Sequence, residues 1–157
     1  MKNFNPVKII VLTFLFCIFS CEDEYVSPIP YREVNLTLEL NFRDKELQSQ
    51  IFATKIFTTP RDESDRLGYG GLLVINGTGS NGATNIYAYD LACPNEANPT
   101  VRVQPITPDS TYYARCPKCG AIFDISAGYG NPVSGSQHYL KSYRITKISS
   151  VEYRVTN

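Results

Sequence analysis

The sequence predicts a mostly β domain, a small antiparallel sandwich or barrel. Three observations carry the prediction. Over Glu33 to Phe42 the apolar residues Val34, Leu36, Leu38, Leu40 and Phe42 alternate with polar ones, the period-2 pattern of a strand with one buried face. Eleven tyrosines, together with many threonines and valines, suit a pleated, half-buried surface better than a helical one. Short apolar runs are separated throughout by glycine, asparagine and proline, the residues that turns require.

Taken in chain order, the first strand is Glu33 to Phe42, followed by the single stretch with helical character, Arg43 to Thr54. Leu72 to Asn76 and Asn85 to Tyr89 flank Gly77-Thr-Gly-Ser-Asn-Gly82, a turn-rich linker that predicts a hairpin. Further short strands are expected at Val101 to Val103, Tyr112 to Ala114, Ala121 to Asp124, Leu140 to Thr146 and Val151 to Val155. The pairs Tyr87/Tyr89 and Tyr112/Tyr113 are expected in core and cross-strand packing.

The start of the chain has a different character. Lys2 and Lys8 precede an apolar stretch from Ile9 to Phe19, interrupted only by Thr13. These are the charged and apolar regions of a signal peptide, expected over residues 1–20 and too short to span a bilayer. Ile18-Phe-Ser-Cys21 resembles the lipobox of bacterial lipoproteins, and the resemblance implies acylation of Cys21. Cys17 lies inside the apolar stretch behind bulky Phe16 and is expected to leave with the peptide. Glu22, Asp23 and Glu24, then a segment to Pro30 with two prolines, bury little apolar area, so residues 21–30 read as a tether. The acidic run after the cysteine resembles the surface-export signal of Bacteroidota lipoproteins. The implied location is the cell envelope, lipid-anchored, at the outer membrane on its periplasmic or surface face.

Removing residues 1–20 leaves 137 residues of 157, enough for one domain with a real core, expected over 31–157. With Lys2 and Lys8 gone the formal charge is −2. There is no basic patch of the kind a nucleic-acid interface needs, so nucleic acid is not an expected partner.

Of five cysteines, the mature, lipidated chain would keep three with free chemistry: Cys93, Cys116 and Cys119. An odd set in an exported protein argues against a pure disulfide framework. Cys116-Pro117-Lys118-Cys119-Gly120 has the spacing of a metal knuckle. Two sulfurs come to one side while backbone amides point at them, and Gly120 supplies the positive φ that the turn needs. Cys93-Pro94-Asn95-Glu96, with 22 residues between Cys93 and Cys116, gives a second, partial knuckle in which Glu96 stands where a paired cysteine would lie. The knuckle subdomain is expected over about 90–135.

This block resembles the Rieske family, whose pattern is Cys-x-His, a spacer, Cys-x-x-His-Gly-x-x-Phe/Tyr-Asp, a Gly-Pro turn and a closing pair of strands. Cys93, Cys116, Gly120, Phe123, Asp124, Gly128, Pro132, Leu140 and Tyr143 fall at matching places, over roughly Asn85 to Val155. The resemblance implies a knuckle-bearing β-domain with a 2Fe-2S centre. Asn95 and Cys119 stand where the family has its two histidines, so such a centre would use three thiolates with Asn95 or Glu96 and have a low potential. No twin arginine precedes the apolar stretch, the first arginine being Arg32. The chain would therefore cross the membrane unfolded, and zinc captured outside by Cys93, Cys116, Cys119 and Glu96 is the simpler loading route.

Several readings stay open from the residues alone. The site can hold a 2Fe-2S cluster, a single zinc or iron ion, or nothing. Alternatively Cys116 and Cys119 pair as a short-loop disulfide, with Cys93 buried as a small hydrophobe. His138, the single histidine, is expected on the surface. Asp90, Glu96 and Asp124 show no spacing that identifies a hydrolytic pair, and no nucleophile motif or phosphate loop occurs. The sequence thus predicts a lipid-anchored envelope protein with a degenerate Rieske-like domain in a binding or structural role rather than an enzyme. The alternatives are an electron-transfer protein and a metal-free surface module that touches a protein or glycan.

Overall fold

The computed structural model describes residues 25–79, 84–106 and 110–157. The expected signal peptide, Cys21 and the first residues of the expected tether lie outside that range, as does part of the loop after Thr78. The chain is mostly β: β1 Val34–Glu39, a single helical turn α1 Glu46–Ser49, β2 Thr54–Phe57, β3 Arg66–Leu67, β4 Leu72–Thr78, β5 Thr84–Asp90, β6 Gln104–Ile106, β7 Ser110–Arg115, β8 Ile122–Asp124, β9 Asn131–Ser134, β10 Ser142–Lys147 and β11 Glu152–Thr156. Seven strands form a nearly closed, barrel-like sheet in the order β2-β4-β5-β10-β11-β1-β3, and four form a second sheet, β6-β7-β8-β9. Every pairing is antiparallel.

The two sheets share their core through β4 and β5. Leu72 and Val74 of β4, with Ile86 and Ala88 of β5, point into the barrel, where Leu36, Leu38 and Val155 meet them. Leu73, Ile75 and Tyr89 point the other way, into a second cluster with Val103, Ala114, Ala121, Phe123, Ile125 and Leu140. The unbroken run Leu72-Leu-Val-Ile75 is what a strand buried on both faces requires, and all four residues are fully buried. Cys93 and Cys116 belong to this second cluster. The small sheet and the loop after β5 are therefore fixed against the barrel by the same apolar contacts that position the two cysteines.

The structure corrects several local expectations. The helix predicted over Arg43 to Thr54 is one turn, because Gln50 is extended, Phe52 takes a positive φ of 64° and Thr54 already belongs to β2. Phe42 does not continue β1: the strand ends at Glu39, where Asp44 caps the chain by accepting from Glu39 N at 2.8 Å, and Phe42 is 74% exposed. Val101 to Val103 makes only an isolated bridge, Ala92 with Arg102, and the strand proper begins at Gln104. Pro132, expected in a turn, sits in β9 opposite Phe123, at a register shift. An edge strand tolerates a residue without an N–H donor there.

Candidate metal centre

Both cysteine loops are hairpin tips. The first follows β5, with Val103 N donating to Leu91 O at 2.8 Å and Cys93 N to Val101 O at 3.0 Å. The second joins β7 to β8, with Cys116 N donating to Ala121 O at 2.9 Å. The tips repeat one another residue by residue. In each, proline follows the first cysteine, which pre-sets the turn. Its fourth successor then closes the turn onto the cysteine carbonyl: Ala97 N to Cys93 O at 2.9 Å, and Gly120 N to Cys116 O at 3.0 Å. Both closing residues take positive φ, 45° at Ala97 and 75° at Gly120. Glycine has no steric penalty there, whereas alanine accepts one. Pro94 is buried and Pro117 exposed, so the first tip is the more deeply embedded.

The tips bring the three sulfurs together. Cys93, Cys116 and Cys119 Sγ all lie within 4.8 Å of one another, and Cys93 and Cys119 Sγ are 3.7 Å apart. All three thiols are free, Cys93 and Cys116 buried and Cys119 exposed, so the short-loop disulfide does not form here. Burial pushes the Cys93 thiol up to about 12, and the Cys116 thiol adds to the effect. At Cys119 burial also acts upward but is outweighed by hydrogen bonds from the Ala121 amide and the Asn95 carboxamide, so this thiol sits below its ordinary value. Backbone amides two residues beyond a ligand that face its sulfur, Asn95 for Cys93 and Ala121 for Cys119, favour the thiolate that a metal needs.

A tetrahedral site with metal–sulfur bonds of ~2.3 Å has sulfur–sulfur edges of about 3.8 Å, close to the Cys93–Cys119 separation. The donor set thus fits one ion held by three thiolates. It does not fit the two-iron cluster implied by the family resemblance. Such a cluster needs a pair of ligands on each iron, and thiolates on different irons point away from each other. Asn95 cannot make up a second pair. Its Nδ2 donates to Gly135 O at 2.8 Å, and since a carbonyl only accepts, the amide is turned nitrogen-first. The same Nδ2 faces Cys119 Sγ at 3.4 Å, while Ser136 Oγ donates to Asn95 Oδ1 at 2.7 Å.

Glu96 occupies in the first tip the place that Cys119 occupies in the second. Its carboxylate, however, forms an ion pair with the Lys118 ammonium of the second tip. The expected fourth ligand therefore ties the two knuckles together from outside the sulfur group. Among the described residues no carboxylate or imidazole lies within the same reach of all three sulfurs. His138 is exposed, as expected of a surface residue. With Asn95, Gly135, Ser136 and Gln137 it borders an open depression of about 440 Å³ beside the site. Tyr25 of the tether packs on the same loop, its ring 5.2 Å from Tyr139 and 6.5 Å from His138, and its hydroxyl accepts from Tyr139 N at 3.1 Å.

One organising residue escaped the sequence reading as a support for the cysteines. Asp90, fully buried at the end of β5, accepts from Gly70 N and Ala92 N through Oδ1, at 2.9 and 2.8 Å. Through Oδ2 it accepts from Tyr69 N at 2.8 Å and Tyr143 Oη at 2.6 Å. Burial, and then the Asp90 charge, hold the Tyr143 phenol well above its ordinary value. The bracket sets the direction in which the chain leaves β5 for Cys93. Tyr69 Oη donates to Ala97 O at 3.0 Å and Arg102 Nε to Gly70 O at 2.6 Å, so the 68–71 loop braces the first tip from its far side. A Cβ at Gly70 would stand 2.5 Å from Ala92 N, which explains the residue. The signal available in the sequence was a lone acid ending a strand three residues before a cysteine, which fixes no role by itself.

Comparison with protein-family models, curated proteins and solved structures returned no match to this chain.

Proposed function

We propose that this chain is a lipid-anchored protein of the bacterial envelope whose Rieske-like β-domain holds one metal ion on Cys93, Cys116 and Cys119, in a binding or structural role. The observation that carries the metal reading is the convergence of three sulfurs to within 4.8 Å, from two tips whose first cysteines have 22 residues between them. Uncompensated thiols gain nothing from being gathered at one point, whereas a soft cation is stabilised by three sulfur donors. The repeated turn geometry and the amides aimed at Cys93 and Cys119 support the same reading. The envelope location is supported by the charged and apolar leader, by Cys21 and by the acidic tether.

Elemental analysis tests the metal. Full-length protein purified without oxygen is expected to carry a stoichiometric metal ion, lost in Cys93→Ser and in Cys119→Ser. Protein free of zinc, iron and copper, with three alkylatable thiols, would end the reading. Visible absorption and a reduced-state electron paramagnetic resonance signal would replace a single ion with a cluster. Mass spectrometry tests the anchor: the mature chain should begin at Cys21 and carry acyl groups.

A further inference from the structure

We propose that the three-cysteine centre is an open acceptor for monovalent copper, bound by three thiolates alone, rather than a closed four-ligand site. The inference rests on the metal reading above and specifies its ion.

Donor number decides between ions here, because sulfur spacing alone suits several of them. A closed structural zinc site takes four protein ligands. This centre supplies three, and the two side chains that stand where a fourth ligand was expected, Glu96 and Asn95, are committed elsewhere. Glu96, at the equivalent position of the first tip, is paired with Lys118. Asn95 presents its NH₂ group to Cys119, with the orientation fixed by Gly135 O and Ser136 Oγ. An amide donor in that place stabilises a thiolate and cannot coordinate a cation. Zinc would have to complete its shell with water on the exposed Cys119 side. Copper(I) needs no fourth donor and is selected by soft thiolate ligands. Binding releases the thiol protons to solvent and leaves the oxidation state of the ion unchanged. Cys119 is exposed while Cys93 and Cys116 are buried, so among the described residues the site opens on its Cys119 side. A site open on that side suits an ion that is handed on and received.

The pairing of the tips provides a decisive variant. Glu96→Cys would give the first knuckle the same Cys-Pro-x-Cys form as the second and complete a four-thiolate site. The experiment uses full-length protein in detergent, reduced and kept under nitrogen, loaded with one equivalent of Zn²⁺ and then challenged with one equivalent of Cu(I). Bound metals are measured after desalting, and the coordination number by X-ray absorption at the copper and zinc edges. The expected result is displacement of zinc by copper with three sulfur neighbours. Glu96→Cys should shift the preference toward zinc by roughly tenfold or more, the scale on which ligand-shell changes act. Zinc retained with a fourth protein donor overturns this inference and leaves the metal reading intact. So does copper bound by only two sulfurs. Neither ion bound by folded wild-type protein, with folding checked by circular dichroism, overturns both readings.

Discussion

At the scale of single residues the centre depends on groups that never touch an ion. Asp90 accepts four hydrogen bonds with both oxygens buried, and Asp90→Asn would turn an NH₂ toward donors that have no alternative acceptor. Hydrogen bonds to charged acceptors contribute ~2 kcal/mol each and unsatisfied buried donors a similar cost, so the variant should lose about 3 kcal/mol in urea unfolding. It should also weaken metal binding, whereas a loss of stability with metal affinity unchanged would remove Asp90 from any positioning role. Asn95→Ala removes the Nδ2 contact to Cys119 without removing a ligand. Stoichiometry should survive while affinity drops by roughly tenfold, the usual effect of losing a group that orients a ligand. Titration of bound metal against a competing chelator measures it. The second cysteine tip was legible in the sequence because a Cys-Pro-x-Cys-Gly turn needs particular residues at fixed offsets, and the first was legible as its partial copy, Cys93-Pro94-Asn95-Glu96. The role of Asp90 was not, because its partners at 69–70 and 143 are brought to it only by the fold.

Among the elements, β4 and β5 matter most, since they separate the barrel interior from the cluster containing Cys93 and Cys116. Leu73→Ala would open a void on the cysteine side, and Leu72→Ala one on the barrel side. Each is expected to cost ~3 kcal/mol, but only the first should also lower metal affinity, a contrast that a paired unfolding and metal-binding measurement reads directly. At the open end of the barrel the buried carboxylate of Asp44 meets Lys55 Nζ at 2.9 Å and Arg61 Nη1 at 2.8 Å. Both cations lie near the Phe57 ring. Asp44→Asn leaves Arg61 without its carboxylate partner and Lys55 with Glu46 alone, a loss of about 2 kcal/mol once their exposure is allowed for. Raising the salt concentration should not recover it. This network accounts for the misread helix. Arg43 to Thr54 has a tolerable helical pattern, yet Asp44, Glu46 and Lys55 converge on one ion cluster, and a helix continued to Thr54 would take the first residue of β2. Strands β2, β3 and β9 were missed for a related reason: they are short, lie at or near sheet edges, and lack apolar alternation, so their pairing is set by neighbours and not by their own pattern.

For the whole molecule, the prediction of a mostly β sandwich or barrel was open to sequence reasoning, because the alternation in β1 is a local signal of a global layer, whereas the second sheet emerged only from the structure. The order of the strands was not open to it either, since β10 and β11 return from the far end of the chain to close against β5 and β1. Alkaline conditions test the integrity of this core. Tyr89 and Tyr143 are held above the ordinary tyrosine range, chiefly by burial. The folded state therefore keeps protons that the unfolded chain gives up. Their contribution is complete below about pH 10 and declines as pH rises beyond it. Phenolate absorbance should lag behind that of the unfolded protein up to the point where the fold is lost, and two freely titrating phenols in the folded protein would contradict the burial.

The ring of Tyr25 against Tyr139 and His138 fixes where the polypeptide joins the domain. Tyr25 stands four positions after Cys21, a leash of at most ~14 Å when fully stretched. An acylated Cys21 would thus keep the Tyr139 loop close to the membrane surface, within reach of neighbours tethered to that surface.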